Sequence, residues 1–143
     1  MAHIERSALV GFSDQQMFDL VNDIEAYPQY MDGCIGAEVL TRTESEVTAR
    51  LDLSKLGMRH SFTTCNQLES PRTMGMALVE GPFKSMSGQW SFKPLAEDAC
   101  KVSLSLEFEF SNGLVAKAAA KWFESVANEL VDGLCRRATQ VYG

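Results

Sequence analysis

The chain has 143 residues, of which 45% are hydrophobic and 22% are charged, a composition typical of one globular domain spanning residues 1–143. No apolar run approaches the roughly 18 residues that a membrane-spanning helix requires, and the N-terminus lacks the apolar core of a signal peptide. The net charge of −6 argues against a protein that coats nucleic acid by bulk electrostatic attraction. We therefore expect a cytoplasmic protein with reduced cysteines and no DNA partner.

The first predicted elements are a strand and a short helix. Residues 3–10 alternate apolar and polar side chains in part, which favours a strand. Ser13 followed by Gln16 is a capping-box pattern, and apolar residues come next at helical spacing. Residues 13–22 are therefore predicted to form an amphipathic helix.

The next segment, YPQYMDGC at residues 27–34, combines two tyrosines and a methionine with only one charge. Pro28 disfavours helix at Tyr27 and Gly33 breaks the chain again, so we expect a second short helical turn leading into a strand. Tyr30 and its neighbours could form the mouth of an apolar cavity, with wet hydroxyls and buried rings. The alternative is that these side chains plug one end of the core.

From residue 34 to residue 110 the hydrophobic period is two. The clearest run is VSLSLEFEF at 102–110, in which every second side chain is apolar. Strict alternation predicts antiparallel strands with one covered face and one wet face. Turn signals separate the runs and predict six consecutive strands in a meander; they fall at residues 54–57, 70–72, 81–82 and 94–98.

After Gly113 the period becomes helical as far as Tyr142. The apolar residues form two rows that step by four, so the stripe drifts about 40° per step and winds around the helix. A flat sheet would cover only part of such a stripe. The fold class predicted is therefore α+β, with a curved antiparallel sheet wrapped around a long C-terminal helix and two short helices after the first strand.

The start of this helix suggests a cavity. Its first turns read LVAKAAAKW and contain small side chains, whereas the strands opposite supply aromatic rings, and the chain has seven methionines. Small residues on one wall leave room, and methionines provide an adaptable lining. Because voids reduce stability, we interpret such a gap as a ligand site.

No pattern demands catalysis. The two histidines, His3 and His60, have no partner at metal-ligand spacing. The sequence contains no GxSxG, Walker, GxGxxG or HExxH motif, and Asp32 is the lone acid near the expected mouth. The protein is predicted not to be an enzyme, with no required cofactor.

Five segments together resemble the START-like, helix-grip superfamily, and within it the family of the bacterial ribosome-association toxin and the mitochondrial coenzyme Q-binding protein. They are LVNDIEAYPQYMDGC (20–34), LSKLGMRHSFTTCNQL (53–68), LVEGPFK (78–84), GQWSFKPL (88–95) and RRATQVYG (136–143). The resemblance covers essentially the whole chain. It implies a non-enzymatic helix-grip fold that binds a hydrophobic small molecule between the sheet and the C-terminal helix.

For the coenzyme Q branch, the implied ligand is ubiquinone or a similar isoprenoid lipid, in support of respiratory electron transfer. Loading would require a transient membrane-surface contact at the inner membrane, for which residues 82–83 and 56–58 are the candidate apolar tips. The predicted ligand-binding residues are Phe18, Tyr27, Tyr30, Met31, Phe62, Trp90, Phe92, Phe108, Ala118, Trp122 and Val126.

For the toxin branch, the implied partner is the large (50S) ribosomal subunit, whose joining to the small subunit would be blocked. A basic patch near Lys55, Arg59, Lys117 and Lys121 would favour this alternative. A third alternative, an enzyme of the same superfamily, would need a paired acid and base in the cavity.

Overall fold

The computed structural model describes residues 2–55, 57–110 and 116–143, with the side chain of residue 116 left out. Within them the helices are α1 (Asp14–Asn22), a short 3₁₀ helix (Ile24–Gln29) and α2 (Ala116–Tyr142). The strands are β1 (Ala2–Val10), β2 (Cys34–Arg42), β3 (Glu46–Lys55), β4 (Met58–Glu69), β5 (Thr73–Glu80), β6 (Phe83–Ala96) and β7 (Ala99–Phe110). The predicted order of elements is confirmed; the part of the predicted helix before residue 116 lies outside the described residues.

The seven strands form one curved antiparallel sheet in the order β1-β7-β6-β5-β4-β3-β2. Strands β2 to β7 are neighbours in chain order, so the predicted six-stranded meander is confirmed. Strand β1 adds a seventh strand beside β7, with Ile4 opposite Leu106. Every second side chain of β7 from Cys100 to Phe110 is buried, which identifies the concave face that packs on the helices.

The short helices after β1 also form as predicted. The Ser13 side chain accepts from the Gln16 backbone N–H at 3.1 Å, and the Ser13 backbone N–H donates to the Gln16 side chain at 2.9 Å. This reciprocal capping box fixes where α1 begins. The 3₁₀ helix follows directly and contains Pro28, so the chain turns toward β2 within a few residues.

Helix α2 crosses the concave face of the sheet and contacts β1, β3, β7 and α1. Arg6 of β1 anchors it, donating to the Asn128 side chain at 2.7 Å and to Asp132 at 3.2 Å. No helix within the described ranges is long and apolar enough to span a bilayer. The four cysteines are free thiols.

The space opposite the first turns of α2 is filled with aromatic rings. Phe123 lies 4.8 Å from Phe108 and 5.1 Å from Phe83 between ring centroids, and Phe83 lies 4.6 Å from Phe110. Phe62 packs edge-on against Phe83 at 5.7 Å. These rings pack together near the start of α2, where the sequence predicted a hollow, and two of them, Phe62 and Phe123, also line a cavity further along the helix. Phe83 is buried, so it is not the exposed apolar tip that the sequence predicted.

Candidate functional site

A cavity lies further along, between the concave face of the sheet and α2. Its volume is about 50 Å³, measured as the space that the centre of a water molecule can reach. Because one ordered water needs roughly 10–15 Å³ on this measure, the cavity has room for a few waters. The lining residues are Ile24, Tyr27, Ala49, Leu51, Phe62, Thr64, Asn66, Met74, Met76, Met86, Trp90, Leu104, Leu106, Phe123 and Leu130.

Most of this lining is aliphatic or aromatic, and three of its members are methionines from β5 and β6: Met74, Met76 and Met86. Met74 and Met86 are buried and Met76 is half-buried. Unbranched thioether side chains change rotamer easily and fill irregular spaces. The walls therefore contain side chains that can rearrange to enlarge the cavity around a guest.

The lining also contains a buried polar pair on β4. The Thr64 hydroxyl donates to the Asn66 side-chain oxygen at 2.8 Å, and both residues are buried. The Asn66 amide nitrogen lies 3.8 Å from the sulfur of Met74. Because a buried amide normally pairs with oxygen or nitrogen, this pair is the most unusual polar feature of the cavity wall.

Tyr27 is the one titratable side chain of the lining, and it is already engaged. Its hydroxyl donates to the Val21 backbone carbonyl in α1. Burial raises the pKa of Tyr27 well above its ordinary value, with a smaller contribution from the neighbouring Tyr30. The phenol is therefore neutral at physiological pH and anchors the 3₁₀ helix to α1.

Of the predicted ligand-binding residues, Tyr27, Phe62 and Trp90 lie in the lining of this cavity. The others lie elsewhere in the molecule. Phe18 packs edge-on against Phe92 at 5.7 Å, beneath α1. Phe108 belongs to the aromatic cluster next to Phe123.

Three predicted residues belong to α2, and they differ in orientation. The Trp122 indole N–H donates to the Lys55 carbonyl at 2.7 Å, which ties the helix to the end of β3. Val126 is buried in the core, whereas Ala118 is exposed. At 100° per residue the helix turns Ala119 toward the sheet instead, so the prediction for Ala118 is wrong.

Tyr30 and Met31 pack against α2, outside the cavity lining. A side-chain carbon added at Gly133 of α2 would lie 3.4 Å from Met31 Cγ and 3.5 Å from the Tyr30 carbonyl. The guanidinium of Arg137 lies 5.2 Å above the Tyr30 ring. Burial raises the pKa of Tyr30, and its hydroxyl has no hydrogen-bond partner within the described residues. These two side chains therefore close one end of the core.

Sequence reasoning missed most of the lining, including the polar pair. The signal was present, because alternation from Phe62 places Thr64 and Asn66 on the same inward face of β4. A polar side chain at an inward position of a strand is a reason to look for a ligand or a network. Leu104 and Leu106 also lay in a recognised alternating run, but the predicted site took only Phe108 from that run.

Five cations belong to elements that meet at one end of the molecule, namely the β3–β4 hairpin, the start of β6 and the start of α2. These cations, called the basic end below, are Lys55, Arg59, Lys84, Lys117 and Lys121. The Trp122–Lys55 hydrogen bond joins the hairpin to α2, and the contact of Phe83 with Phe123 brings the start of β6 to the same place. The elements that carry the four cations predicted as a patch therefore meet at this end of the molecule.

The cations of the basic end are not paired with carboxylates, a feature that they share with Arg42, Lys93, Lys101 and Arg137 among the described residues. Elsewhere Arg6, Arg50 and Arg72 pair with carboxylates, and so does Arg136. Exposed Glu124 lies on α2 together with Lys117 and Lys121, so the basic end is a mixed surface whose cations form no ion pair with a described carboxylate.

The curved seven-stranded sheet, the long helix across its concave face and the apolar cavity between them define a START-like, helix-grip protein. The family model described as "Polyketide cyclase / dehydrase and lipid transport" matches residues 10–135, and the chain belongs to this family. The predicted fold class and superfamily are thereby confirmed. The family description includes both enzymes and lipid carriers, so membership alone does not decide between them.

Two curated relatives and one solved structure refine this placement. The chain is 48% identical over 143 residues to "Ribosome association toxin RatA" of Vibrio cholerae, covering 100% of this chain and 99% of the relative. It is 23% identical over 141 residues to "Coenzyme Q-binding protein COQ10 homolog B, mitochondrial" of Xenopus laevis, covering 96% and 58%. A START superfamily protein from Mycobacterium smegmatis superposes with a TM-score of 0.84 at 23% identity, covering 97% and 98%.

Proposed function

We propose that this protein associates with the ribosome. The supporting observation is the 48% identity, along the whole chain, to a relative named a ribosome association toxin. The coenzyme Q-binding relative is far more distant, at 23% identity. The order of preference between ribosome association and ubiquinone carriage is therefore reversed from the one that the sequence alone favoured. Binding to the large subunit, with subunit joining blocked, is the form of association proposed.

The basic end is the surface we assign to this contact. Ribosomal RNA is a dense polyanion, and each lysine or arginine that neutralises a phosphate releases a counterion. Cations already paired with carboxylates contribute less, and the unpaired Lys55, Lys84, Lys117 and Lys121, with Arg59 on β4, are the ones that we assign to the contact. With a net charge of −6, the rest of the molecule would be repelled, so the contact has to be oriented.

Co-sedimentation with purified 50S subunits, at several salt concentrations, tests this assignment. The double substitution Lys117→Glu and Lys121→Glu should abolish co-sedimentation at moderate salt. Its matched control is Lys93→Glu with Lys101→Glu, two exposed lysines that lie opposite each other near the far ends of β6 and β7 and should leave binding nearly unchanged. Equal losses in both pairs, or no dependence on salt, would contradict a contact through the basic end.

A second candidate function is the binding of a hydrophobic small molecule, and the cavity favours it. Its walls are apolar and include three adaptable methionines. Ubiquinone or another isoprenoid lipid is the ligand class proposed, and no cofactor is required. Because the cavity has room for only a few waters, such a guest would have to displace the methionine side chains and extend toward the surface.

Native mass spectrometry of protein purified from a membrane-containing lysate tests this second function. The wild type should carry an apolar molecule that solvent extraction releases. Ala49→Leu, which fills the cavity from β3, should lose it. Ala77→Leu makes the same change at an exposed position of β5 and should retain it. An empty wild-type protein would remove the case for a carried lipid.

We propose binding instead of catalysis for both functions. The cavity lining offers one titratable side chain, Tyr27, whose hydroxyl is engaged by Val21. General acid–base chemistry needs a group that can exchange a proton with the substrate near physiological pH. Among the described lining residues none meets that condition, since the raised pKa of Tyr27 keeps it protonated.

A further inference from the structure

The amide of Asn66 is held in one orientation by its neighbour on β4. Thr64 donates its hydroxyl proton to the Asn66 side-chain oxygen at 2.8 Å. With the amide oxygen toward Thr64, the NH₂ end faces the cavity wall and donates to the Met74 sulfur at 3.8 Å. A thioether is a weak acceptor, so the amide presents donors without a strong acceptor.

Leaving such donors buried is unfavourable. Asn66 is 4% exposed and Met74 is 1% exposed, so bulk water does not reach the amide. The side chains around it in the lining are mainly apolar, among them Met76 and Leu106. The hydrogen bond recorded for this NH₂ group goes to the Met74 sulfur, and an oxygen acceptor placed in the space beside it would be a stronger partner.

We propose that Asn66 is the specificity-determining donor of the cavity, selecting apolar molecules that carry a carbonyl oxygen. This inference rests on the second function proposed above, the binding of a hydrophobic small molecule, and adds the polar group that the guest must have. The Asn66 oxygen is occupied by Thr64, so the group that remains to recognise the guest is a donor. Thr64 is a positioning residue, because it acts through the orientation of the amide.

Asn66 can determine selectivity because the other lining residues do not distinguish a hydrocarbon from a carbonyl compound of the same shape. Apolar walls bind a hydrocarbon and a carbonyl compound of the same shape with similar burial. The difference between them arises where the carbonyl oxygen meets the Asn66 N–H groups. A site built to hydrogen-bond one polar group discriminates against the analogue that lacks it, since the buried group is then left unpaired.

A matched pair of small probes tests the proposal. Duroquinone (tetramethyl-1,4-benzoquinone) and durene (1,2,4,5-tetramethylbenzene) share a ring and four methyl groups and differ by two carbonyl oxygens. Full substitution of the quinone ring also blocks addition of the free thiols. Binding is followed by NMR of ¹³C-methyl-labelled methionine, because Met74, Met76 and Met86 line the cavity and report either probe.

In the wild type, duroquinone should bind on the order of ten-fold more tightly than durene. Asn66→Leu, which keeps the size of the side chain and removes the donors, should bring that ratio close to one without weakening durene. Thr64→Val, which frees the amide to turn, should give an intermediate ratio. Retained durene binding shows that a variant still has a folded cavity, and Thr64→Val provides the comparison if Asn66→Leu does not fold.

Two results would overturn the inference, and they are distinguishable. If both probes bind and the ratio is the same in all three proteins, the cavity is a ligand site but Asn66 does not select for a carbonyl. If neither probe shifts the methionine signals of the wild type, the binding function itself fails and the inference fails with it.

Discussion

The core beneath the start of α2 and the core beneath its middle differ in what fills them. At the start, Phe83, Phe108 and Phe123 interlock with ring centroids about 5–6 Å apart, a spacing typical of packed aromatic pairs. Under the middle, Leu130 faces methionines and the Thr64–Asn66 pair across a small cavity. Alanines on a helix therefore do not by themselves create a hollow, because large side chains from the sheet can fill the space.

The surfaces above these two regions differ in the salt bridges that their charged residues form. The cations of the basic end form no salt bridges to described residues, whereas in the second half of α2 Arg136 pairs with Glu129, and Asp132 pairs with Arg6. Exposed ion pairs contribute little to stability, but they reduce the charge available to an outside partner. The aromatic cluster thus lies beneath the surface that we assign to the ribosome, and the cavity lies further along α2.

The largest effect expected is from truncating the filled region. Phe108→Ala should lower the free energy of unfolding by about 3–5 kcal/mol, because Phe108 is 1% exposed and its ring is surrounded. Met76→Ala, at a half-buried lining position, should lower it by only about 1 kcal/mol, since part of its surface already borders the cavity or solvent. Urea denaturation followed by circular dichroism measures both values.

The comparison would fail if the two substitutions destabilised the protein equally. Such a result would mean that the methionine walls are packed as tightly as the aromatic cluster. A change in the denaturant slope, with an unchanged midpoint, would instead report an altered unfolded or native state. The expected result is a shift of midpoint at constant slope for both variants.

Stability should also fall above pH 8.5, because two buried thiols resist ionisation. Burial raises the pKa of both Cys34 and Cys100 to about 11. In the unfolded chain the pKa of a thiol is about 8.5. Between these values the folded state binds more protons than the unfolded state, so the free energy of unfolding decreases as pH rises. This contribution is fully present below about pH 8.5 and is lost by about pH 11.

Denaturation curves at pH 7, 9, 10 and 11 check this expectation. The double variant Cys34→Ala with Cys100→Ala should show a shallower loss than the wild type. Some loss should remain at the highest pH, because burial also raises the pKa of Tyr27 and Tyr30. An identical pH dependence in the wild type and the double variant would show that these thiols ionise alike in both states.

The fold was predictable because its signals are local. Alternation in β7, the Ser13–Gln16 capping box and the turn residues between strands each specify one element, and the elements permit few arrangements. Strand β1 was predicted as a strand, but its place beside β7 was not, because pairing between distant segments leaves no mark in a single sequence. Helix α2 is described from Ala116 onward, so the prediction for the residues before it stays a prediction.

The cavity was less predictable because it depends on side-chain volumes meeting across the core. Tyr27, Phe62 and Trp90 were predicted as ligand-binding residues and line it. Phe83 was interpreted as an exposed tip but is buried against Phe123. Whether a ring fills a hollow or lines it is decided by tertiary packing, and composition does not carry that information.

The smallest effect expected concerns the closed end of the core, at Gly133 of α2. A side-chain carbon there would meet Met31 Cγ at 3.4 Å and the Tyr30 carbonyl at 3.5 Å, which are ordinary contact distances. Gly133→Ala should therefore raise the free energy of unfolding by up to about 1 kcal/mol through helix propensity. Gly133→Leu should lower it, because the longer side chain has to displace Met31. If Gly133→Leu were as stable as Gly133→Ala, the segment of Tyr30 and Met31 would be able to move away from α2, and this end of the core would be an entrance instead of a plug.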